Sequence, residues 1–523
     1  MRFRPLHPIM TAELFCPAPY IRWIRMAKQM RRRQFVGLAS GAMFGFGRRP
    51  ALFTALDNRS LRQEDSRFLE VGHLVSLKMA EYRIPGVALG VFKDGRSTLG
   101  GFGLTNLDDP QPVTSDTVFP IASISKTTVA TAIMRLVEKG RVDLEAPVRR
   151  YISDFQVQDE SVSREVLMWH LLTHTPGWEG QLGTPDRGSE TLANFTSGLH
   201  DLPQLARPGE VWSYNNAGFG VAGRVLEVVT GTSINDALSD LVFRPLGLSH
   251  AFTRTGTAMT HRFAAGHREN LGVTSVNRPF ALPANVSAGG VAMSIASLLR
   301  YARFHMGDGT AEDGEQVLSR DSLERMRVPL LRKNSTTDEI GISWHLRRLD
   351  GVLTAAHGGT LGGHCLHVQL VPERNLAFGI LTNHNVGWRL IQVVERAILE
   401  LYEGLALAPG QATGGNRGGN EDMTVHAAAL SDQPEVGAYV GTYQRSPIGT
   451  VTVGAEDGHL VLMGGGDGER GVPLVFWGPD LTYTAPGIVA GYPYEGMPVE
   501  FIRNADGDLG WIRINGRIAA KDT

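Results

Sequence analysis

Ser123 and Lys126 stand three residues apart at the start of a segment whose apolar residues follow helical spacing. Two side chains at this separation lie on the same face of a helix, one turn apart. A serine hydroxyl is a weak nucleophile until a neighbour takes its proton, and a partly desolvated lysine can take it or can lower the pKa of another base. The helix dipole at Ser123 would also favour a developing oxyanion. The pair alone is weak evidence, since an N-capping serine followed by a surface lysine gives the same pattern.

Two later segments carry further polar side chains. Tyr214-Asn215-Asn216 opens a second helical pattern, and His357-Gly358-Gly359-Thr360 follows a strand-like run. In their order and spacing these segments resemble the serine β-lactamase and penicillin-binding protein superfamily, closest to its class C branch. The resemblance covers roughly residues 68–405. Within that range, segments 119–126, 171–177 and 243–248 also resemble family signatures.

The resemblance implies a role for each position that matches a family motif. Ser123 would attack the substrate carbonyl and become acylated, and Lys126 would lower the cost of its deprotonation. Tyr214 would be the general base or proton relay and would protonate the leaving group. Asn216 would position Lys126 and the acyl side chain, and the backbone N–H groups of Ser123 and Thr360 would form the oxyanion hole. The family reaction needs no metal and no cofactor, and its substrate is a small molecule or a peptide.

The third motif departs from the β-lactamase pattern, in which Lys-Thr-Gly or Lys-Ser-Gly holds the carboxylate of the drug. His357, Gly358 and Gly359 occupy these substrate-binding positions here. A histidine with an ordinary pKa of about 6.5 is mostly neutral at pH 7, and glycine offers no hydroxyl. The His-x-Gly pattern resembles D-aminopeptidases and esterases instead. We therefore predict a serine hydrolase that cleaves an amide or ester through an acyl-serine intermediate, either a peptidase of the D-aminopeptidase or D,D-peptidase kind or an esterase.

Three other functions are compatible with the sequence. The first is a class C-type β-lactamase. The second is a non-catalytic sensor that binds penicillin or cell-wall fragments, although such a sensor has no need of Ser123, Lys126, Tyr214 and Asn216 together. The third is a scaffold that acts through the C-terminal part of the chain. A homo-oligomer is compatible with each of them.

Other candidate sites have simpler explanations. His170 and His174 are four residues apart, but no third ligand accompanies them, so we predict no metal site. The glycine-rich runs near residues 359–363 and 414–419 do not join a strand to a helix as a phosphate loop must. After residue 50 the chain has 41 basic and 52 acidic residues, which argues against nucleic-acid binding. We expect Cys365 to be an inert free thiol.

The periodicity of the chain predicts the elements that position these side chains. Two hairpins are expected, one over residues 86–102 around a Lys-Asp-Gly turn and one over 365–381, and helices are expected at 123–139, from 216 to about 230, and at 388–402. The fold that the resemblance implies is of the β-lactamase-like α+β or α/β class, with an antiparallel sheet flanked by helices beside a helical subdomain.

The last segment of the chain consists of short β segments separated by turns, from residue 434 to 521. Strands at such spacing predict a small antiparallel barrel or sandwich, and they resemble the lipocalin-like barrels that follow such hydrolases. In D-aminopeptidase-type relatives a loop of the barrel reaches into the active site. That role is one hypothesis here, with a dimer contact or simple packing as the alternatives.

The predicted boundaries follow from composition. Residues 1–60 are assigned to a leader and a disordered N-terminal region, in which an Arg-Arg-Arg-Gln-Phe segment and 13 uncharged residues resemble a twin-arginine export signal at about 30–50. This signal predicts a periplasmic or extracellular protein, with a cytoplasmic one as the alternative, and Met26 or Met30 is a candidate start. The hydrolase domain is predicted at 61–405, a Gly-rich linker at 406–433 and the barrel at 434–523. The chain contains no run of 18 apolar residues, so we predict no integral membrane span beyond the leader.

Overall fold

The computed structural model describes residues 65–180, 192–270, 272–278, 280–283, 285–333, 338–407, 434–444, 450–463, 471–478, 480–484, 487–489, 492–494 and 498–522. These residues all belong to one compact unit. The predicted leader lies outside the described residues, and so does most of the predicted linker, from 408 to 433.

The described strands are numbered in chain order. They are β1 Gly86–Lys93, β2 Arg96–Gly103, β3 Val118–Pro120, β4 Ala251–Phe252, β5 His267–Asn270, β6 Val273–Val276, β7 Ala292–Ser294, β8 Leu331–Arg332, β9 Glu339–Ile340, β10 His345–Leu349, β11 Val352–Leu361, β12 His364–Val371, β13 Leu376–Thr382, β14 Gly441–Gln444, β15 Thr450–Glu456, β16 His459–Met463, β17 Val472–Gly478, β18 Leu481–Thr484, β19 Gly487–Val489, β20 Tyr492–Tyr494, β21 Pro498–Arg503, β22 Leu509–Ile514 and β23 Arg517–Lys521.

An eight-stranded antiparallel sheet lies at the centre of the hydrolase region, in the order β2-β1-β13-β12-β11-β10-β9-β8. Both predicted hairpins are confirmed, since β1 pairs with β2 and β12 pairs with β13. The first turns through Asp94 and Gly95, whose φ angles of +47° and +84° suit a two-residue turn that follows the twist of the strands. Smaller sheets join β3-β7-β4 and β5-β6.

The described helices cover both faces of this sheet and form a separate helical region. They are Ser66–Tyr82, Ser125–Glu138, Glu160–Glu165, Met168–Leu172, Leu192–Ser197, Asn216–Thr230, Ile234–Leu238, Thr255–Met259, Val286–Gly289, Ile295–Met306, Arg320–Arg325 and Gly387–Glu403, with a π-helix at Ser239–Phe243 and short 3₁₀ turns. None of the helices in the described parts of the chain is both long and apolar enough to cross a membrane.

The alternation of side chains along β1 explains the layering. Val87, Leu89 and Val91 belong to the core that contains the Ser66–Tyr82 and Gly387–Glu403 helices, because alternate residues of a strand face the same side. On the other face the Ile295–Met306 helix packs closely, and a Cβ on Gly90 would lie 3.0 Å from an Ile295 side-chain carbon. The sheet is therefore buried between two helical layers, as the family resemblance predicts.

The C-terminal strands form a closed barrel in the order β14-β15-β16-β17-β18-β21-β22-β23. The pairing of Tyr443 with Lys521 is one of those that close it. The predicted barrel is therefore confirmed and the sandwich alternative is wrong. Tyr443 lies in the barrel core, as expected from its aromatic side chain, with Val453, Phe476 and Phe501.

Burial of histidines makes the fold sensitive to acid. Burial lowers the pKa of six described histidines from 6.5 to about 3 or 4, namely His170, His305, His357, His364, His367 and His384. As pH falls below 6.5 these groups are protonated in the unfolded chain but stay neutral in the fold, so the unfolded state takes up protons and gains stability. Each group contributes a slope of up to about 1.4 kcal/mol per pH unit.

We therefore expect the free energy of unfolding to decrease by several kcal/mol between pH 7.5 and pH 5.0, because several such slopes add. Urea titrations at the two pH values, followed by tryptophan fluorescence, measure this difference. The described carboxyl groups with shifted pKa have lowered values, for example Asp65 and Glu138, so they titrate below this window. Equal unfolding midpoints at pH 7.5 and 5.0 would contradict the prediction.

Candidate active site

Ser123 lies in a 3₁₀ turn, Ala122–Ile124, that leads directly into the Ser125–Glu138 helix. The predicted helix start at residue 123 is thus two residues early, because the backbone there closes i→i+3 hydrogen bonds. Ala122 has a φ of +48°, a conformation that costs a non-glycine residue about 1–3 kcal/mol and persists only where the surroundings hold it.

Ser125 holds this turn in place. Its hydroxyl donates to the Ala122 carbonyl at 2.6 Å and accepts from the Val291 N–H at 3.0 Å. Val291 O in turn accepts from the N–H of Ile121 at 2.8 Å. The Ser123 side chain itself is half-buried, so the rigid turn presents it at the surface of the site.

Lys126 is fully buried beneath Ser123. Its ammonium nitrogen lies 3.2 Å from Ser123 Oγ and 2.5 Å from the carbonyl oxygen of Ala288. Burial, and then the positive charge of Arg517, hold the pKa of Lys126 well below its usual value. A lysine in this environment has a larger neutral fraction at neutral pH, and a neutral amine at this distance can accept the serine proton.

Tyr214 lies beside the nucleophile, in the loop two residues before the Asn216–Thr230 helix begins. Lys126 Nζ lies 5.0 Å from the centre of the Tyr214 ring, and the Ser123 side chain is close enough to influence the pKa of the phenol. Burial raises the pKa of Tyr214 to about 12, although Ser123 and Arg517 act in the opposite direction. The phenol is therefore protonated at neutral pH, which suits a proton relay better than a resting phenolate base.

His174 and Asn215 hold Tyr214 in position. The His174 ring lies 4.4 Å from the Tyr214 ring, centre to centre, and His174 Nδ1 accepts from the N–H of Asn215 at 3.0 Å. The Asn215 side chain accepts from Gly218 N at 2.7 Å and caps the Asn216–Thr230 helix, which ends with Gly231 at a positive φ of 74°. The predicted second helix is thus confirmed at both ends.

The third motif lies on β11, against the nucleophile turn. A Cβ on Gly359 would lie 2.5 Å from Ile121 O, 3.0 Å from Ala122 Cβ and 3.2 Å from Ser123 N, so only glycine allows this approach. The strand therefore brings the backbone next to Thr360 close to the N–H of Ser123, where two such donors could stabilise an oxyanion.

His357 is buried and cannot act as a cation. Burial and the Lys126 charge lower its pKa to about 3. Its Nδ1 lies 2.7 Å from the Gly358 carbonyl, which assigns the proton to Nδ1 and leaves Nε2 as an acceptor. Within the described structure Nε2 is buried without a hydrogen-bond partner. A neutral acceptor at this position repels a carboxylate. His357 therefore does not hold a substrate carboxylate as the lysine of the β-lactamase pattern does.

Asn216 and Thr360 lie where the motifs predict. Asn216 is the half-buried first residue of its helix, and its backbone N–H donates to Gly180 O at 2.9 Å. The described hydrogen bonds of Lys126 go to Ser123 and Ala288, so positioning of Lys126 by Asn216 stays a prediction. Thr360 Oγ1 accepts from the indole N–H of Trp388 at 2.8 Å, a contact that the sequence did not reveal.

The remaining candidates have structural roles. His170 Nδ1 accepts from the Leu167 N–H at 2.9 Å, and across the described residues no group of three His, Cys, Asp or Glu side chains is placed to hold a metal ion. Burial raises the pKa of the Cys365 thiol to about 12, which makes it unreactive, as expected.

A turn of the barrel reaches the same site. β22 and β23 are joined by Asn515 and Gly516, with φ angles of +52° and +73°. The Gly516 carbonyl accepts from the Tyr214 N–H at 2.8 Å. The first residue of β23 is Arg517, whose guanidinium carbon lies 5.5 Å from the centre of the Tyr214 ring and whose Nη1 lies 3.8 Å from Glu179 Oε1.

Further contacts fix this turn against the hydrolase loop before Tyr214. Trp511 Nε1 donates to Leu205 O at 2.6 Å, and the N–H of Ile518 donates to Ser213 Oγ at 3.2 Å. Trp511 and Ile518 also form an apolar cluster with Ala206 and Val211. The structure therefore shows both a packing contact of the barrel and a barrel turn beside Tyr214, and a dimer contact stays a prediction.

Sequence reasoning missed Arg517. The available signal was the Asn-Gly pair followed by an arginine, because Asn-Gly is the strongest short hairpin signal and marks a projecting turn. Nothing in that pattern says which part of the molecule the turn contacts.

Comparison with known proteins is consistent with this geometry. The Beta-lactamase family matches residues 71–402. Penicillin-binding protein 4 of Amycolatopsis lactamdurans is 34% identical over 335 residues, which cover 62% of this chain and 88% of that protein.

Two solved structures resemble the fold. The crystal structure of SurE with D-Leu superposes with a TM-score of 0.69 at 24% identity, over 88% of this chain and 100% of that one. The beta-lactamase/D-alanine carboxypeptidase from Pseudomonas syringae has a TM-score of 0.55 at 20% identity, over 65% of this chain and 99% of that one. At these identities the likeness concerns the fold alone.

Proposed function

The chain belongs to the beta-lactamase family of serine hydrolases, and on that premise we propose that it hydrolyses an amide or ester bond through an acyl-serine intermediate on Ser123. The observation that carries the proposal is the 3.2 Å contact between Lys126 Nζ and Ser123 Oγ, combined with a lysine pKa that burial lowers. Burial of an amine against a half-buried hydroxyl contributes little to the stability of the fold. The same arrangement is what activation of a serine nucleophile requires.

In the proposed reaction, the Lys126 amine takes the Ser123 proton while Oγ attacks the substrate carbonyl. The backbone N–H groups of Ser123 and Thr360 hold the oxygen that becomes negative. Tyr214 then passes the proton from Lys126 to the leaving group, which departs and leaves the acyl group on Ser123. A water molecule then enters, and its oxygen attacks the acyl carbon while Tyr214 and Lys126 take one of its protons. The bond between the acyl carbon and Ser123 Oγ breaks, the proton passes to Oγ, and the acid leaves.

We propose a peptide substrate with a D-amino acid as the first choice and an ester as the second. The neutral His357 argues against efficient β-lactam hydrolysis, because the drug's carboxylate would face an acceptor nitrogen instead of a cation. The names of the two structural relatives, which mention D-Leu and D-alanine carboxypeptidase, support a D-amino acid substrate. Export through the twin-arginine-type segment, also a proposal, would bring the protein to cell-wall peptides.

A substrate panel tests this function. It consists of D- and L-aminoacyl nitroanilides, p-nitrophenyl acetate and butyrate, nitrocefin, and an acetylated Lys-D-Ala-D-Ala peptide. We expect turnover of the esters and of at least one D-amino acid substrate, with nitrocefin slower by about 10- to 100-fold, because the charged anchor that is missing on β11 would contribute about 1.5–3 kcal/mol. Turnover of nitrocefin alone would overturn the substrate proposal, and stable acylation without turnover over hours would favour the sensor.

A further inference from the structure

Arg517 is a barrel residue that lies against Tyr214 in the candidate active site. It begins β23 directly after the Asn515-Gly516 turn, and its side chain is 13% exposed. The guanidinium carbon lies 5.5 Å from the centre of the Tyr214 ring, and Lys126 Nζ lies 5.0 Å from the same centre. Lys126 Nζ is in turn 3.2 Å from Ser123 Oγ. Arg517 and the Ser123–Lys126 pair therefore both have Tyr214 as a neighbour.

Contacts on both sides hold Arg517 next to Tyr214. The Gly516 carbonyl accepts from the Tyr214 N–H at 2.8 Å, so the turn and the tyrosine backbone are tied together. Glu179, which is 1% exposed, lies 3.8 Å from Nη1 on the hydrolase side. A guanidinium carries five N–H donors in a planar fork and can hold two carboxylates at once, so Glu179 can orient Arg517 while a ligand occupies another edge.

β11 supplies no cation to the site through His357. His357 is neutral and presents an acceptor, and Lys126 is fully buried. Lys333 lies against Trp212, with its Nζ 5.2 Å from the centre of the indole ring. Arg513 is buried and paired with Glu500 at 2.6 Å. Of these charged side chains, Arg517 alone combines contact with Tyr214 and partial exposure.

We propose that Arg517 binds a free carboxylate on the leaving-group side of the substrate, so that the barrel supplies the anion clamp that the His-Gly-Gly motif lacks. This inference rests on the proposed function, in which Tyr214 protonates the leaving group, and it narrows the substrate class. The preferred substrate is a peptide that ends in a free carboxylate one residue beyond the scissile bond. A substrate with a protonated amine at that position is disfavoured by like charge.

Binding measurements test this clamp without any need for turnover. In a Ser123→Ala background, calorimetry gives the Kd of an acetylated Lys-D-Ala-D-Ala peptide and of the same peptide with a C-terminal amide. We expect the acid to bind about 10- to 100-fold more tightly than the amide, the range for a hydrogen-bonded charged pair. Adding Arg517→Gln should bring the ratio of the two Kd values to about 1, and Arg517→Lys should keep part of it.

Two matched variants serve as controls. Arg503→Gln removes another barrel arginine, which pairs with Asp480 at the surface, and should keep the ratio of the parent protein. Lys333→Gln tests the neighbouring cation and should keep most of the ratio. A ratio near 1 in the parent protein, or one that survives Arg517→Gln or is lost in Lys333→Gln, would overturn the proposal.

Failure of the clamp and failure of the proposed function give different results. A protein that hydrolyses esters but shows no preference for the acid retains the serine hydrolase function and loses the clamp. A protein that binds the acid through Arg517 but neither hydrolyses esters nor reacts with a fluorophosphonate retains the clamp and loses the hydrolase function.

Discussion

Replacing Ser123 with alanine is expected to abolish hydrolysis of p-nitrophenyl esters and labelling by a fluorophosphonate probe. The hydroxyl is the only atom of that side chain able to form the acyl bond, and loss of a serine nucleophile lowers kcat by about 10⁴- to 10⁶-fold. The side chain is half-buried and the substitution removes a single hydroxyl, so we expect the free energy of unfolding to change by less than about 1 kcal/mol. Ester hydrolysis and gel labelling measure the first effect, and urea titration measures the second.

Ser197→Ala is the matched control, because Ser197 is exposed at the end of a short helix and its hydroxyl donates only to the nearby Asn194 carbonyl among the described contacts. It should hydrolyse esters at the parent rate. Residual turnover above about one per cent in Ser123→Ala would reject Ser123 as the nucleophile, given the size of the loss expected. Unchanged turnover, together with loss on disruption of the barrel, would favour the scaffold function.

The second large effect is expected for Lys126→Met. Methionine keeps the length and volume of the side chain but removes the amine that lies 3.2 Å from Ser123 Oγ. Loss of a general base lowers the rate by about 10²- to 10⁴-fold. The fold should tolerate the change, because burial of an apolar side chain avoids the desolvation that lowers the pKa of the lysine.

The pH profile identifies the role of Lys126. The amine accepts a proton only when it is neutral, that is, above its pKa. Because burial and Arg517 lower this pKa, kcat/KM of the parent should rise with pH through a limb that lies below the ordinary lysine value of about 10.4. We expect Lys126→Met to lose that limb and Arg517→Gln to move it to higher pH, since removal of the cation lets the lysine hold its proton more firmly.

Lys139→Met, just beyond the end of the same helix, is the control for the loss of a lysine. Its side chain is exposed, so activity and pH profile should match the parent. An unchanged acid limb in Lys126→Met would show that another group titrates there, and Tyr214 would then have to be the base despite its raised pKa.

Local features were within reach of the sequence because they depend on residues a few positions apart. The spacing of Ser123 and Lys126 placed both on one face, and the family motifs brought Tyr214 and His357 to the same site. The Asn216 helix with Gly231 at its end and the two hairpins followed from periodicity and turn residues. The error at residue 123 is of the same local kind, since a 3₁₀ turn and the first turn of an α-helix have the same side-chain pattern.

Ser123, Lys126 and their motif partners were therefore determined by the sequence, but their ionisation was decided by the tertiary structure. Desolvation of Lys126 depends on Ala288 and on the surrounding core, and the acceptor state of His357 depends on a backbone carbonyl and full burial. Arg517 lies almost 400 residues after Ser123, and it lies beside Tyr214 only because the barrel packs on the loop before that residue. Electrostatics at a site sums over everything that is close in space, and closeness between remote segments is what a linear pattern does not contain.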